Sequence, residues 1–188
     1  MKDLKPTCRI AVVQAAPVPF DKTACTDKAV RLIAKCARSG AELIVFPELF
    51  IPGYPYGMTF GFTVGARNED GRKDWQLYCD NSIVVPGPET ERLAAAAKAA
   101  GAYVSIGISE RDSVTGTLYN SNLIFCPDGT LAPVHRKLKP TGAERVVWGA
   151  TPTAGISRSW TRRGGRWAAS SAGRAICRWH ARRCMKRA

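Results

Sequence analysis

Three side chains in the first 149 residues have types and spacing suited to chemistry: Glu48, Lys137 and Glu144. Glu48 stands directly after the apolar run Leu43-Ile-Val-Phe46 and before the turn Ile51-Pro-Gly-Tyr54-Pro55. A carboxylate at a strand end lies where α/β proteins place their reacting groups. Lys137 lies at the end of a second strand, in His135-Arg-Lys-Leu-Lys-Pro-Thr141, and Glu144 follows it by seven residues. A Glu and a Lys sharing one apolar site form a useful pair. The ammonium holds the carboxylate ionised, and each shifts the proton affinity of the other. Such a pair can take a proton from a thiol and then from water, and can stabilise developing negative charge. From spacing alone the plainer readings weigh more. Glu48 reads more readily as a capping or salt-bridged carboxylate, and Lys137, between Arg136 and Lys139, as part of a solvated basic edge.

The elements that must position these groups follow from the pattern. Arg9-Ile-Ala-Val-Val-Gln-Ala-Ala16 is a nearly continuous apolar run stopped by Pro17, which predicts a buried strand. Asp21 or Thr23 is placed to cap a helix running to about Arg38, with Val30, Ile33, Ala34 and Ala37 at helical spacing and Ser39-Gly40 ending it. Leu43–Phe46 is the second strand. Strand, helix, strand implies a parallel pair with helices covering the sheet. Residues 52–82 read as a long irregular segment, of the kind that forms functional loops or interfaces. Pro86-Gly-Pro88 opens a helix over Glu89–Ala100, closed by Gly101. Tyr103–Ile108 and Leu118–Phe125 are further strands, and Pro127-Asp-Gly-Thr130 is a turn that brings Leu131–Leu138 back as a hairpin partner. The expected arrangement is a sheet with helices on one face.

The stretch Gly40–Pro55, with its strand, its Glu48 and Gly53-Tyr-Pro five residues later, resembles the first signature of the nitrilase family of carbon–nitrogen hydrolases. Arg136-Lys-Leu-Lys-Pro-Thr141 followed by Glu144-Arg-Val-Val-Trp-Gly149 resembles the lysine region of true nitrilases, and Asn120-Ser-Asn122 and Pro127-Asp-Gly129 also fit. The resemblance covers about residues 8–149. It implies an α/β fold, the nitrilase-type α-β-β-α sandwich, here cut short. It implies Glu48 as general base, Lys137 as the lysine that stabilises the tetrahedral intermediate, Glu144 as the supporting second glutamate, and Tyr54 near the substrate pocket. The implied reaction converts a nitrile to a carboxylic acid and ammonia without metal or organic cofactor. Amidase and nitrile- or cyanide-hydrating relatives are the alternatives within the family. A homo-oligomer is expected of a full-length form, and the partner is a small-molecule nitrile or amide.

The family also requires a cysteine nucleophile in a Cys-Trp-Glu motif some way beyond the lysine, and this chain has none. Cys177 is followed by Arg178 and Trp179, in the wrong order and without a preceding apolar strand. The chain changes character near Gly149. Residues 150–188 hold 10 of the 28 Lys and Arg and none of the 15 Asp and Glu, which leaves 18 basic against 15 acidic residues, or +3, in residues 1–149. The basic character therefore belongs to the tail, not to the fold. The tail has no helical or strand period and is expected to be disordered or out of frame.

The genetic code supports the second reading. Joining the third base of each codon to the first two of the next leaves no freedom at four places. Trp160-Thr161 gives Asp, Trp167-Ala168 gives Gly, Trp179-His180 gives Ala and Met185-Lys186 gives Glu. A permitted reading of the tail in this frame contains an apolar strand and Cys-Trp-Glu, with the cysteine spanning the codons of Ser171 and Ala172 at the family's distance from Lys137. The expectation is a frameshift just after Trp148, leaving the polypeptide as written without its nucleophile and inactive.

Composition bounds the other classes. A basic tail carrying Trp and Arg over residues 158–187 raises nucleic-acid binding as an alternative from a different class, through phosphate contacts and stacking. No recognised binding module accompanies it, so no specific nucleic-acid partner is expected. No run of 18 apolar residues exists and the first residues lack a signal-peptide pattern, so a cytoplasmic protein without a membrane partner is expected. Seven cysteines without Cys-x-x-Cys spacing argue against a disulfide framework or a zinc site.

Overall fold

The computed structural model describes residues 7–66 and 68–150, together with the backbone of residues 159–162 and 165–168. The main sheet has five strands in sequence order: β1 (Ile10–Val12), β2 (Leu43–Val45), β3 (Tyr103–Arg111), β4 (Leu118–Phe125) and β5 (His135–Arg136). β1, β2 and β3 are parallel, and β4 and β5 continue antiparallel. Helix α1 (Lys22–Arg38) makes the crossover between β1 and β2, and α2 (Glu69–Asn81) and α3 (Pro88–Ala100) lie between β2 and β3.

Local chemistry explains the helices. Asp21 caps α1 by accepting from the Ala24 amide at 2.8 Å, and Lys35 and Arg38 in the last turn oppose the helix dipole. Cys25, Ala29 and Ile33, spaced by four, form the buried stripe of α1. α3 starts with Pro88, carries Glu89 and Glu91 in its first turn, and ends on left-handed Gly101. Its buried Leu93 and Ala97 pack with α1 over one face of the sheet, against Ile44, Val104, Ile106, Ile108, Leu123 and Phe125. Full burial of each such aliphatic side chain is worth roughly 1.5–3 kcal/mol.

The opposite face is built differently. Alternation along the strands puts Ser105, Gly107 and Ser109 of β3 and Leu118, Asn120 and Asn122 of β4 on it. Leu118 joins Leu49, Tyr78, Val147 and Trp148 in a second, smaller cluster at one end of this face. Toward the other end the face is open among the described residues: Ile10 and Val12 of β1 are 55% and 77% exposed.

Two expectations are corrected. The strand predicted over 9–16 pairs only at Ile10–Val12, with one more ladder bond from the Val13 amide to the Val45 carbonyl. Its apolar run suits a strand covered on both faces, and only one face is covered among the described residues. The segment 52–82, expected to be irregular throughout, contains α2. Its polar composition hides it, but the Asn68 side chain caps it by accepting from the Gly71 amide at 3.0 Å. Trp75, Tyr78 and Cys79, at i, i+3 and i+4, are its apolar stripe, so a helical signal was present. In the tail, Ser159–Arg162 and Gly165–Ala168 pair as a separate antiparallel ribbon. Cys177 and most of the Arg- and Trp-rich stretch lie outside the described residues.

Beyond β2 the chain keeps bonding to β3 as it bends across it. The Phe46 amide donates to the Ser105 carbonyl, the Gly107 amide to the Pro47 carbonyl, and the Ile51 amide to the Gly107 carbonyl. This crossing requires Gly107. A Cβ there would lie 2.5 Å from the Leu49 nitrogen and 2.6 Å from the Glu48 Cα, both backbone atoms. A Gly107→Ala substitution should therefore destabilise the chain by about 1–3 kcal/mol through overpacking. Urea unfolding of the variant beside the parent measures this, and an unchanged midpoint would refute the close approach.

Candidate active site

The bend over Gly107 carries Glu48 to the face of the sheet that bears Asn120. Lys137 directly follows β5 and is tied down through its backbone, its amide donating to the Asn120 carbonyl at 2.7 Å. Glu144 sits in a short 3-10 helix, Gly142–Val146, that Thr141 caps. These three elements bring all three predicted residues together. The Lys137 Nζ donates to Glu48 Oε1 at 3.0 Å and to the two Glu144 oxygens at 3.2 and 2.9 Å. Tyr54 joins them, its hydroxyl donating to Glu144 Oε1 at 3.1 Å.

The two carboxylates are held in different ways. Glu144 is surrounded: its Oε2 also accepts from the Thr141 amide at 2.7 Å and the Thr141 hydroxyl at 3.0 Å, and its side chain is 10% exposed. Burial alone would raise its pKa, but the Thr141 bonds and the Lys137 ammonium outweigh burial and lower it. Glu48 is more open, its side chain 35% exposed. It accepts from the Asn120 Nδ2 at 2.6 Å and from Lys137, both at Oε1, so its Oε2 has no hydrogen bond among the described residues. That oxygen is the acceptor a reacting group can reach.

Lys137 is buried at 7% exposure. Burial disfavours its charge, yet the hydrogen bonds to Glu144 and Glu48 and their negative charge raise its pKa overall. The triad is thus one ammonium between two carboxylates, with a net charge of −1. Tyr54 is pushed up to about 12, first by burial and then by its bond to Glu144 and the charges nearby. It stays a neutral donor across the ordinary pH range.

A cavity of about 460 Å³ opens beside the triad. Val12, Val45, Phe46 and Pro47 give it apolar walls, and Glu48, Asn120, Asn122, His135 and Lys137 bring polar groups to it. No cysteine lines it. Of the described cysteines, Cys25 is fully buried on the inner face of α1, where burial raises its thiol pKa and its Sγ donates to the Val18 carbonyl at 3.1 Å. Among the described residues, no group of three or more His, Cys, Asp or Glu side chains could hold a metal ion, and no helix is long and apolar enough to cross a membrane.

Several contributors escaped sequence reasoning as site residues. Asn120 was legible only as part of a matching segment, and its bond to Glu48 depends on the β3–β4 register. Thr141 caps the short helix, a role that Thr141 and Glu144, three apart, could have signalled as a capping box. Trp148 donates from Nε1 to the Ser109 Oγ at 3.1 Å, and its ring packs 5.7 Å from that of Tyr54. It backs the aromatic wall at the Glu144 side.

Comparison with known proteins bears on the family and the fold. The chain is 55% identical over 141 residues to an aliphatic nitrilase of Sinorhizobium fredii, a match covering 75% of this chain and 45% of that protein. It is 46% identical over 144 residues to a bifunctional nitrilase/nitrile hydratase of Nicotiana tabacum, covering 77% of this chain and 41% of that protein. The chain therefore spans less than half the length of these curated relatives. Among solved structures, a nitrilase-superfamily protein of Saccharomyces cerevisiae superposes with a TM-score of 0.65 at 22% identity, over 86% of this chain and 54% of that one. An amidase from Nesterenkonia sp. superposes with a TM-score of 0.61 at 16% identity, over 89% and 57%. At those identities the likeness establishes the shared α/β fold alone. The sequence profile of the carbon–nitrogen hydrolases matches residues 9–180. With that match across most of its 188 residues, the chain belongs to the carbon–nitrogen hydrolase family.

Proposed function

We propose that the encoded chemistry is hydrolysis of a nitrile to a carboxylic acid and ammonia by a Cys-Glu-Lys mechanism, with Glu48 as base, Lys137 as electrostatic stabiliser and Glu144 as its support. The observation that carries this reading is the Lys137 ammonium lying within hydrogen-bond distance of both carboxylates beside an open cavity. A thiol entering that cavity would lose its proton to Glu48 and attack the nitrile carbon, and the nitrogen would take up the proton as a thioimidate forms. Glu48 would then deprotonate a water that adds to the same carbon. Lys137 stabilises the negative charge of the tetrahedral intermediate, Glu48 passes the water's two protons in turn to the nitrogen, and the C–N bond breaks, releasing ammonia and leaving the acyl group on the sulfur as a thioester. A second water releases the acid and restores the thiol. Tyr54, proposed as a substrate-side residue, donates to Glu144 from outside the cavity lining, so its part is to orient Glu144.

The domain reading that goes with it is an N-terminal part of the catalytic domain over residues 1–149, followed by a 150–188 tail read in a shifted frame. Curated relatives align over 141 and 144 residues, while the family profile runs from residue 9 to 180, across that boundary. As written, the chain has no Cys-Trp-Glu and is inactive.

Resequencing the gene from codon 140 past codon 188, then expressing both the chain as written and the frame-restored product, tests this. Ammonia release from a small aliphatic nitrile is expected from the restored protein only. Nitrile hydrolysis by the chain as written would sink the claim of inactivity. Replacing Glu48 by Gln in the restored protein should lower kcat by roughly 10²–10⁴-fold, the usual worth of a positioned general base. The same assay, read for amide as well as acid, distinguishes hydration from full hydrolysis.

The triad also predicts a pH window for stability. Glu144 has a lowered pKa in the folded chain, so its contribution is present above the ordinary carboxylate value of 4.5 and is lost as pH falls through the folded value. Lys137 has a raised pKa, so its contribution is full below 10.5 and is lost as pH rises through the folded value. A Lys137→Met variant should lose roughly 2–3 kcal/mol near neutrality, because it leaves Glu144 buried without its cation while Glu48 remains partly solvated. The deficit should shrink at the acid and alkaline ends of that window in urea titrations, and a deficit independent of pH would refute the linkage.

A further inference from the structure

β5 is two residues long, and its ladder pairs only Arg136 with Ser121 and His135 with Asn122. Two ladder pairs are little to hold the strand that presents Lys137. The opposite face of the sheet supplies more. Arg136, next to Lys137 and therefore on the other side of the strand, forks onto Glu110 of β3. Its Nε lies 3.2 and 3.0 Å from the two Glu110 oxygens, and its Nη2 bonds Oε1. Glu110 is 4% exposed and also accepts from the Ser121 hydroxyl of β4. The guanidinium stacks 3.9 Å from the centre of the Tyr119 ring and lies 3.6 Å from Asp112. One buried carboxylate thus ties β3, β4 and β5 together at the residue before the lysine.

A forked, stacked arginine fixes direction as well as charge. We propose that Glu110 and Arg136 are positioning residues: their bidentate pair sets the register and tilt of β5 so that the Lys137 ammonium falls between Glu48 and Glu144. This rests on the reading of Lys137 as a site residue. The pair makes no hydrogen bond to the triad, and although Ser121, which Glu110 bonds, also lines the cavity, its route to Lys137 is the backbone of β5.

The test reads Lys137 directly in the chain as it stands. Acetylation by acetic anhydride is followed across pH by peptide mass spectrometry, with exposed Lys98 of α3 as internal reference. In the unsubstituted chain Lys137 should react more slowly than Lys98, because it is buried and Glu48 and Glu144 accept from its ammonium, with Tyr54 donating to Glu144 beside it. Two variants are compared. Arg136→Lys keeps a cation beside Glu110 but loses the fork and the stack. The double variant Glu110→Gln with Arg136→Gln leaves no buried charge unpaired, which keeps the fold available if the first variant is unstable. In both, the Lys137 rate relative to Lys98 should rise by about threefold, the change produced by half a unit of proton affinity, with circular dichroism unchanged. A merely structural ion pair would lower the melting temperature and leave the Lys137 profile where it was. That result in both variants overturns the proposal alone. A Lys137 that reacts as fast as Lys98 in the unsubstituted chain overturns the site reading and the proposal with it.

Discussion

The site depends on a single cation. Lys137 is the positive charge that both carboxylates share, and without it Glu144 would be buried with no cation beside it. The surrounding structure serves this ammonium. β5 delivers it, the Thr141-capped helix turns Glu144 toward it, and the bend over Gly107 swings Glu48 across β3 to meet it. The net charge of −1 that results leaves one carboxylate oxygen open on the cavity side.

The division between the carboxylates follows from their hydrogen bonds. Glu144 spends both oxygens on Lys137, Thr141 and Tyr54, so it is committed to holding the lysine. Glu48 uses one oxygen for Lys137 and Asn120 and keeps the other available. Two residues of the same type thus differ in what they can do, and the difference lies in their neighbours. The left-handed backbone of buried Leu49, at a φ of 50°, is part of the same arrangement. It turns the chain sharply behind Glu48, a conformation that costs of order 1–3 kcal/mol and persists because the packing around Gly107 and Leu118 overdetermines it.

Much of this was legible in the sequence because it depends on local chemistry. Asp21 as cap, Pro88 at the start of α3 and Gly101 at its end are short-range signals, and each element they bound is present. The nitrilase-like spacing around Glu48, Lys137 and Glu144 identified three groups that converge, although 89 residues separate the first two. What was not legible depends on register. Asn120 reaches Glu48 only because β4 pairs with β3 at Asn120–Ser109, and Trp148 reaches Ser109 across the same face. α2 was missed because its stripe of Trp75, Tyr78 and Cys79 is narrow and its other positions are charged, so composition spoke for a loop. The open sheet face at Ile10 and Val12 was concealed in an apolar run that suits burial on both sides.

Arg136 and Lys137 are neighbours with opposite destinations, one behind the sheet and one in front of it. Strand pairing has a period of two, so a slip of one residue in β5 would exchange them. A guanidinium would then face Glu48, and an ammonium would sit in a pocket shaped for a planar fork. The connection from Phe125 to His135, with its turn at Cys126–Thr130, therefore carries a parity constraint. Insertions or deletions there can be absorbed only as loop length outside the ladder, never as a shift within it. Among sequences descended from this fold, gaps should accumulate at that turn while the distance from Arg136 to Glu144 stays fixed.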